Sequence, residues 1–360
     1  MDLLAESITE VTVSGKITNT DRVLNIAYGI DRNFLFGAAV SMQSVIMHNP
    51  DLAVKFHLFT DYIDEDYLQR VNAFTSKNAN VEVRIYKVSS AFIDIFPSLK
   101  QWSYATFFRL VAFQYLSEVI ENLLYIDADV ICKGSLAGLL DINFDGDKFA
   151  AVIKDVPFMQ EKPAKRLAIE GLPGNYFNAG VVYLQLEAWA KNDFMNKAIA
   201  MLASDPQHTK YKCLDQDILN HLCEGKVKYI DMAWNMMVDY DNKRINEIIR
   251  LAPQWQYKEY IKARSAPSII HYAGPQKPWF FPEMDFGDEF WRYAKKTPWY
   301  EIMLYRMTNN SSQILYQKEH PKEAKYKKIF DGNNCLFPYG SKRRESLKKI
   351  YYYLYNGLKR

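Results

Sequence analysis

The sequence predicts an α/β fold, with a mostly parallel central sheet and helices on both faces. Three observations carry that expectation. Short apolar runs of strand length recur through the first two thirds of the 360-residue chain, and stretches with helical spacing separate them. A pair of carboxylates also follows one of these runs at the point where it ends. Strands spaced by helices pair most simply in parallel, because a parallel connection needs a crossover about as long as a helix.

The elements follow in order. Residues 1–21 are polar and without a clear period, and are read as an extension outside the core. Val23–Tyr28 is a short apolar run suited to a buried strand, and Asp31-Arg32-Asn33 then leads into a helical stretch near Phe34–His48. A second strand and helix follow at Val54–Phe59 and Asp64–Phe74. Val81–Val88 alternates Val and Ile with charged residues, which marks a third strand. A helix near Tyr104–Leu116 precedes the apolar strand Asn122–Ile126, and Asp127-Ala128-Asp129 stands at that strand's C-terminal end. Ligands of open α/β sheets gather outside such strand ends, so the placement is as informative as the residues. Later strands are read near Phe149–Ile153, Val181–Leu184 and Val227–Ile230, with helices near Glu187–Ala203 and Asp215–Glu224. The periods break down beyond about Pro275. These boundaries divide the chain into an extension (1–21), a catalytic domain (22–280), an aromatic and proline-rich segment (281–316) and a basic aromatic tail (317–360).

Composition narrows the function. Hydrophobic residues make up 49% of the chain and aromatics 15%, which excludes a disordered chain and suits sugar binding or a ring-rich core equally. The N-terminus shows no basic segment followed by an apolar run, and no apolar stretch reaches the roughly 18 residues of a bilayer-spanning helix. A cytoplasmic protein with at most peripheral membrane contact is expected. Cys132, Cys213, Cys223 and Cys335 have no paired metal-ligand spacing and fit free thiols. Net charge is only +3, yet residues Lys318–Arg360 carry twelve Lys or Arg against four Asp or Glu, so the tail is electrostatically distinct.

Three constellations carry chemistry. Asp127 and Asp129, two residues apart after an apolar strand, can reach one cation; hard divalent ions such as Mg2+ and Mn2+ favour carboxylate and phosphate oxygens. An isolated Asp-x-Asp is more often a solvated turn, and it is the buried strand before it that argues otherwise. His271-Tyr272-Ala273-Gly274-Pro275-Gln276-Lys277-Pro278-Trp279 offers a nitrogen ligand, a glycine that permits close backbone approach and a lysine suited to phosphate. Asn175–Val181 and Cys213–Leu219 supply amide and carboxylate groups able to hold sugar hydroxyls. Alone, Asp215 reads as a helix cap and Asn178 as a turn former.

Taken together, six ordered segments resemble the family 8 retaining glycosyltransferases, and within them the hexosyltransferases that build the lipopolysaccharide core. The segments are Ile26–Phe34, Phe107–Leu110, Leu124–Asp129, Tyr176–Gly180, Leu214–Asp217, and His271–Gly274 with Lys277–Trp279. The resemblance spans about Val23 to Trp279. It implies the GT-A nucleotide-diphospho-sugar transferase fold, with Asp127, Asp129 and His271 holding Mn2+ or Mg2+ on the diphosphate of a UDP-hexose. Gly274 and Lys277 would line the phosphates, and Ala128 would sit at the donor between the two aspartates. Asp31 and Asn33 would read uracil and ribose, Gly29 would offer backbone, and Phe34 would stand where relatives often stack a tyrosine. Arg32 departs from the acidic residue of some relatives and takes no role. Arg109, Asn178, Asp215 and Gln216 match positions that grip the donor sugar.

By this resemblance the chain moves glucose or galactose from UDP-glucose or UDP-galactose onto a lipopolysaccharide core hexose, with an alpha linkage. Gln216 lies nearest the nucleophile's place, but an amide is a poor nucleophile, so front-face attack is preferred and Asp217 is the alternative. The tail, with Lys342-Arg343-Arg344 and Lys348-Lys349 among Leu347, Ile350 and Tyr351–Tyr353, suits an anionic inner-leaflet surface; no nucleic acid partner is expected. Two other readings stay open. A phosphatase of the haloacid dehalogenase type shares the strand ending in Asp-x-Asp, although that pair normally opens its fold. A non-catalytic sugar-nucleotide-binding scaffold would bind donor without turnover.

Overall fold

The main sheet contains β1 (Ile8–Lys16), β2 (Val23–Ile30), β3 (Ala53–Thr60), β4 (Val81–Val88), β5 (Asn122–Ile126), β7 (Ala150–Lys154), β8 (Phe177–Gln185) and β9 (Val227–Tyr229). Their spatial order is β1-β4-β3-β2-β5-β8-β7-β9. A second, three-stranded sheet places β11 (Ile269–His271) between β10 (Met236–Met237) and β6 (Val130–Cys132). The helices are α1 (Leu35–His48), α2 (Glu65–Thr75), α3 (Ser90–Ile93), α4 (Phe108–Leu116), α5 (Ala137–Leu140), α6 (Pro157–Leu167), α7 (Leu186–Lys191), α8 (Phe194–Ser204), α9 (Leu214–Leu222), α10 (Gln254–Ser265), α11 (Gly287–Ala294) and α12 (Tyr300–Glu319). The computed structural model describes residues 7–18, 22–93, 96, 103–238 and 254–319, with positions 342, 346, 347 and 349. Met1–Met303 forms one compact unit and Leu304–Arg360 a second. The basic tail beyond Glu319, apart from those isolated positions, lies outside the described residues, as does Cys335.

Strand pairing is parallel through β4-β3-β2-β5 and antiparallel on both sides of β8. From β2 the chain steps outward to β3 and β4, then returns to the other side of β2 as β5. The strand order therefore switches between β2 and β5, the place in an open α/β sheet where ligands gather beyond the strand ends. Asp31–Asn33 leave β2 there and Asp127–Asp129 leave β5.

Successive side chains of a strand face opposite sides, so Ala27 and Tyr28 mark the two faces. Ala27, Phe59, Tyr86 and Tyr125 join the core under α4, α7, α8 and α9. On the other face the Tyr28 hydroxyl donates to Ser41 Oγ of α1 at 3.0 Å. Leu123, Leu124, Tyr125 and Ile126 of β5 are almost entirely buried. Each such aliphatic side chain contributes about 1.5–3 kcal/mol on burial, which holds the carboxylates after it on a rigid strand.

Three expectations need correction. Residues 8–16 are not an extension beside the fold: they form β1, antiparallel to β4 from Ile8↔Val88 to Lys16↔Val81. Their polarity hid them because an edge strand borrows its hydrogen bonds from one neighbour while Val11 and Val13 stay exposed. The single helix expected over Glu187–Ala203 is two helices, broken at Asn192–Asp193, where Asp193 takes a left-handed conformation (φ 53°). The strand expected at Val181–Leu184 starts earlier, at Phe177, and so carries Asn178. No helix among the described residues is long and apolar enough to cross a membrane.

Gly15 lies opposite Glu82 with φ 83°, and a Cβ there would come within 2.3 Å of the Val81 carbonyl oxygen. Gly15→Ala is expected to lower stability by about 1–3 kcal/mol, read as an earlier urea midpoint. An unchanged midpoint would mean that β1 does not hold this place.

Candidate active site

Two ladders bring the expected cation ligands together. In the small sheet β11 runs antiparallel to β6 with His271 opposite Val130, the residue after Asp129, and the Tyr272 N–H donates to the Asp129 carbonyl at 3.0 Å. In the main sheet Ile126 pairs with Val181, and the Asp127 N–H donates to the Gly180 carbonyl at 2.9 Å. His271 Nε2 consequently lies 3.4 Å from Asp129 Oδ1 and 3.9 Å from Asp127 Oδ2. One ligand atom from each of the three residues lies within 4.8 Å of the others. Ligands about 2.1 Å from a common ion sit about 3 Å apart when adjacent and about 4 Å apart when opposed, so these separations fit one divalent ion. Two carboxylates and an imidazole also form a donor set suited to Mn2+ or Mg2+ and leave positions open for other oxygens.

Glycines set how closely the elements approach. A Cβ on Gly180 would lie 2.3 Å from His271 Cε1 and 2.7 Å from Nδ1, so only glycine lets the imidazole rest on β8. A Cβ on Gly37 would lie 2.7 Å from the Ala128 carbonyl oxygen, so α1 packs directly on the turn between the aspartates.

Around the triad the charges are paired. The Arg109 guanidinium is buried, donating to Asp127 Oδ1 at 2.7 Å, pairing with Asp215 Oδ2 at 2.8 Å, and donating to the Thr106 and Ala179 carbonyls. It also covers the Tyr125 ring, 4.5 Å from the centroid, while the Tyr125 hydroxyl accepts from the Gly29 N–H at 3.1 Å. Burial opposes the charge on Arg109, yet Asp127 and Asp215 hold its pKa above the ordinary value. For Asp215 burial wins: its carboxyl is pushed up to about 6 against the pull of Arg109 and of the Thr106 hydroxyl, which donates to it. Lys277 Nζ donates to Asp129 Oδ2 at 2.5 Å and to the Tyr272 carbonyl at 2.6 Å. Burial raises and the Lys277 ammonium lowers the Asp129 pKa, with a net fall well below the usual carboxylate range.

A hydrogen-bond network continues from this cluster. His271 Nδ1 meets Asn235 Oδ1 at 3.0 Å, and Asn235 Nδ2 donates to Asn178 Oδ1 at 2.9 Å. Gln216 Oε1 accepts from the Ala179 N–H at 3.0 Å, and Gln216 Nε2 donates to Asp155 Oδ2 at 3.1 Å. Arg109, Asn178, Asp215, Gln216, Lys277, Gly29, Asp127, Asp129 and His271 thus belong to one connected cluster. Asp217 stands apart from the triad, fully buried, with its oxygens taken by Arg166 at 2.5 Å, the Tyr176 hydroxyl at 2.7 Å and the Cys213 N–H at 2.7 Å.

Beyond the end of β2, Asp31 Oδ1 accepts from the Asn33 N–H at 2.8 Å, which shapes the turn there. Phe34 meets Trp279 edge-on at 5.6 Å, and Arg32 covers the Tyr62 ring at 4.4 Å. Gly274 lies in the turn after β11, which carries Lys277 and is anchored by the buried Trp279 among Phe34, Phe36 and Phe290.

Sequence reasoning missed Asp155 and Asn235. Asp155 ends an apolar strand just as Asp127 does, and the same strand-end rule would have found it. Nothing in the sequence distinguishes Asn235 from any other asparagine.

The strand-order switch and an Asp-x-Asp turn closed by a histidine define the GT-A class of glycosyltransferases. Residues 25–282 match the Glycosyl transferase family 8 model, and the chain belongs to that family. A lipopolysaccharide 1,3-galactosyltransferase of Salmonella typhimurium is 33% identical over 304 residues, 84% of this chain and 86% of that protein. A lipopolysaccharide 1,2-glucosyltransferase of Escherichia coli K12 is 34% identical over 282 residues, 78% and 80% of the two chains. The crystal structure of galactosyltransferase LgtC with donor and acceptor sugar analogues gives a TM-score of 0.62 at 25% identity, covering 76% of this chain and 96% of that one. The chain is a glycosyltransferase, and the phosphatase and scaffold readings fall with that membership.

Gly180→Ala is expected to displace the His271 ring and weaken Mn2+ binding at least about tenfold while the far-UV spectrum is kept. A Mn2+ titration matching that of the wild type would show that the ring has room to spare.

Proposed function

We propose that the chain transfers glucose or galactose from a UDP-sugar to a hexose of the lipopolysaccharide core, with retention and an alpha linkage. The observation that carries this reading is the convergence of Asp127, Asp129 and His271 beside Lys277 at the strand-order switch. The named activities of the relatives support the acceptor class, and the amide and carboxylate cluster at Asn178, Asp215 and Gln216 supports a bound sugar.

In the transfer, the bond from the anomeric carbon to the diphosphate breaks and a bond to an acceptor hydroxyl forms, with the hydroxyl proton passing to the departing phosphate oxygen. Bound at the triad, a divalent ion supplies Lewis-acid neutralisation of that leaving group. Lys277 brings a fixed positive charge to the same side, from a position already held by Asp129 and the Tyr272 carbonyl. Arg109, kept charged between Asp127 and Asp215, fixes the two carboxylates relative to each other. Asp31, Asn33, Gly29 and Phe34 face the nucleotide in this reading, with Ala128 and Gly274 lining the donor.

Retention through a covalent sugar requires a free nucleophile beside the anomeric carbon. Gln216 is an amide whose oxygen and nitrogen are both committed to hydrogen bonds, and the Asp217 oxygens are committed to Arg166, Tyr176 and Cys213. Both facts favour front-face attack.

Asp127→Ala and Asp129→Ala are expected to lower turnover by several hundredfold or more, about 4 kcal/mol of barrier, in assays of UDP-glucose and UDP-galactose on truncated lipopolysaccharide cores with Mn2+. Linkage analysis of the product identifies donor and position together. Wild-type rates from either variant under chelation would remove the reading.

The basic tail completes the proposal as a contact with anionic lipid on the cytoplasmic face, each nearby Lys or Arg adding about 1 kcal/mol of attraction. A chain truncated after Tyr316 should lose sedimentation with anionic vesicles while keeping activity on soluble acceptors. Equal sedimentation of both chains would leave the tail without this role.

A further inference from the structure

We infer that Asn235 is a positioning residue that holds His271 in the tautomer whose Nε2 lone pair faces Asp127 and Asp129, and that it ties the cation end of the site to the sugar end. The inference rests on the cation reading above and deepens it. It follows from the polarity of one chain of hydrogen bonds.

The chain begins at a backbone group whose role cannot change. The Gly180 N–H is a donor only, and it points at the Asn178 side chain 2.9 Å away, so the atom it meets must be the oxygen Oδ1. Asn178 Nδ2 then faces Gln216 Oε1 and Asp155 Oδ2, each at 3.3 Å, which agrees with that orientation. Gln216 is fixed in the same manner, because its Oε1 accepts from the Ala179 N–H.

Asn178 Oδ1 also meets Asn235 at 2.9 Å, so the Asn235 atom there must be the donor Nδ2. The other end of the Asn235 amide is therefore its oxygen, and this is the atom 3.0 Å from His271 Nδ1. An oxygen acceptor requires a proton on Nδ1. In a neutral imidazole that leaves Nε2 as the unprotonated nitrogen, and Nε2 is the atom 3.4 Å from Asp129 Oδ1 and 3.9 Å from Asp127 Oδ2. One backbone N–H thus dictates, through two asparagines, which ring nitrogen is available to a cation.

Local structure places Asn235 for this role. Asp231 Oδ1 accepts from the Ala233 N–H at 2.9 Å and caps the turn Met232–Asn235. β10 follows at once, parallel to β11 with Met237 beside His271, and the Val238 N–H donates to the His271 carbonyl at 2.9 Å. Asn235 is fully buried, so its amide does not exchange partners with bulk water. The alternative is a residue that only fills buried space, and two substitutions separate the possibilities. Asn235→Leu removes both ends of the relay. Asn235→Asp keeps an oxygen toward His271 Nδ1 but sets a second oxygen against Asn178 Oδ1, an acceptor already held by Gly180.

The test uses the full-length protein labelled with 15N-histidine, metal-free, at a pH raised until the His271 15N shifts are those of a neutral ring. Long-range 1H–15N spectra report the His271 tautomer, assigned by the signals lost in His271→Gln, and electron paramagnetic resonance of free Mn2+ reports binding. The wild type should carry its proton on Nδ1. Asn235→Leu should mix the tautomers and weaken Mn2+ binding about 10- to 100-fold. Asn235→Asp should keep the tautomer and bind Mn2+ at least within about threefold of wild type, while the donor KM rises about tenfold through displaced Asn178. A wild-type proton on Nε2, or wild-type Mn2+ binding by Asn235→Leu, overturns the inference; the first of these needs no variant to fold. If the wild type binds no Mn2+ and Asp127→Ala changes nothing, the cation reading fails instead, and the tautomer measurement still judges Asn235.

Discussion

The register of three residues against three others is the constraint on which the site depends. Val130–Cys132 and Ile269–His271 form a ladder that joins positions about 140 residues apart in the chain, and it brings His271 to the Asp129 turn. A slip of one residue would turn the imidazole to the opposite face of the small sheet, since side chains alternate with period two. That sheet is too small to hold its own register. What holds it is packing: Val130, Ile131, Cys132, Ile269 and Ile270 are all buried, and α1 lies over β6, with its glycine at position 37 set against Ala128 in the turn before that strand.

Electrostatics then decide what the assembled carboxylates can do. Burying a guanidinium costs several kcal/mol before any partner is counted, and Arg109 offsets this with two carboxylates and two carbonyls. The pairing divides labour. Asp127 keeps one oxygen toward Arg109 and the other toward His271, while Asp215 is held deeper and carries a raised pKa. Three carboxylates and two cationic side chains meet here, so the cluster keeps an excess of negative charge that attracts a divalent cation. Lys277 moderates that excess at Asp129 alone.

Legibility followed the size of the hydrophobic signal. β2, β3, β4 and β5 could be read because each is a continuous or alternating run of buried aliphatic residues bounded by polar ones. β6, β10 and β11 have two or three residues each, below the length at which any period exists. β8 was read only from Val181 because Asn178, Ala179 and Gly180, which follow its first residue Phe177, are chosen for the site and not for strand propensity. For the site, the ionic groups were visible from residue type and strand-end position. The neutral relay through Asn235 was not, since an asparagine shows its function only through the atoms it faces.

The glycines around the site show how far residue type can mislead about purpose. Gly29, Gly37 and Gly180 sit at strand or helix positions without left-handed backbone, so conformational freedom does not explain them. Space does. At Gly29 a Cβ would meet the Ala105 carbonyl and the Phe108 Cβ at 2.9 Å, at Gly37 the Ala128 carbonyl, and at Gly180 the His271 ring. Each missing methyl lets a different element touch the ends of β2, β5 or β8. The separations of a few ångström that permit three ligands to share one ion are therefore set first by what these positions leave out, and only then refined by hydrogen bonds.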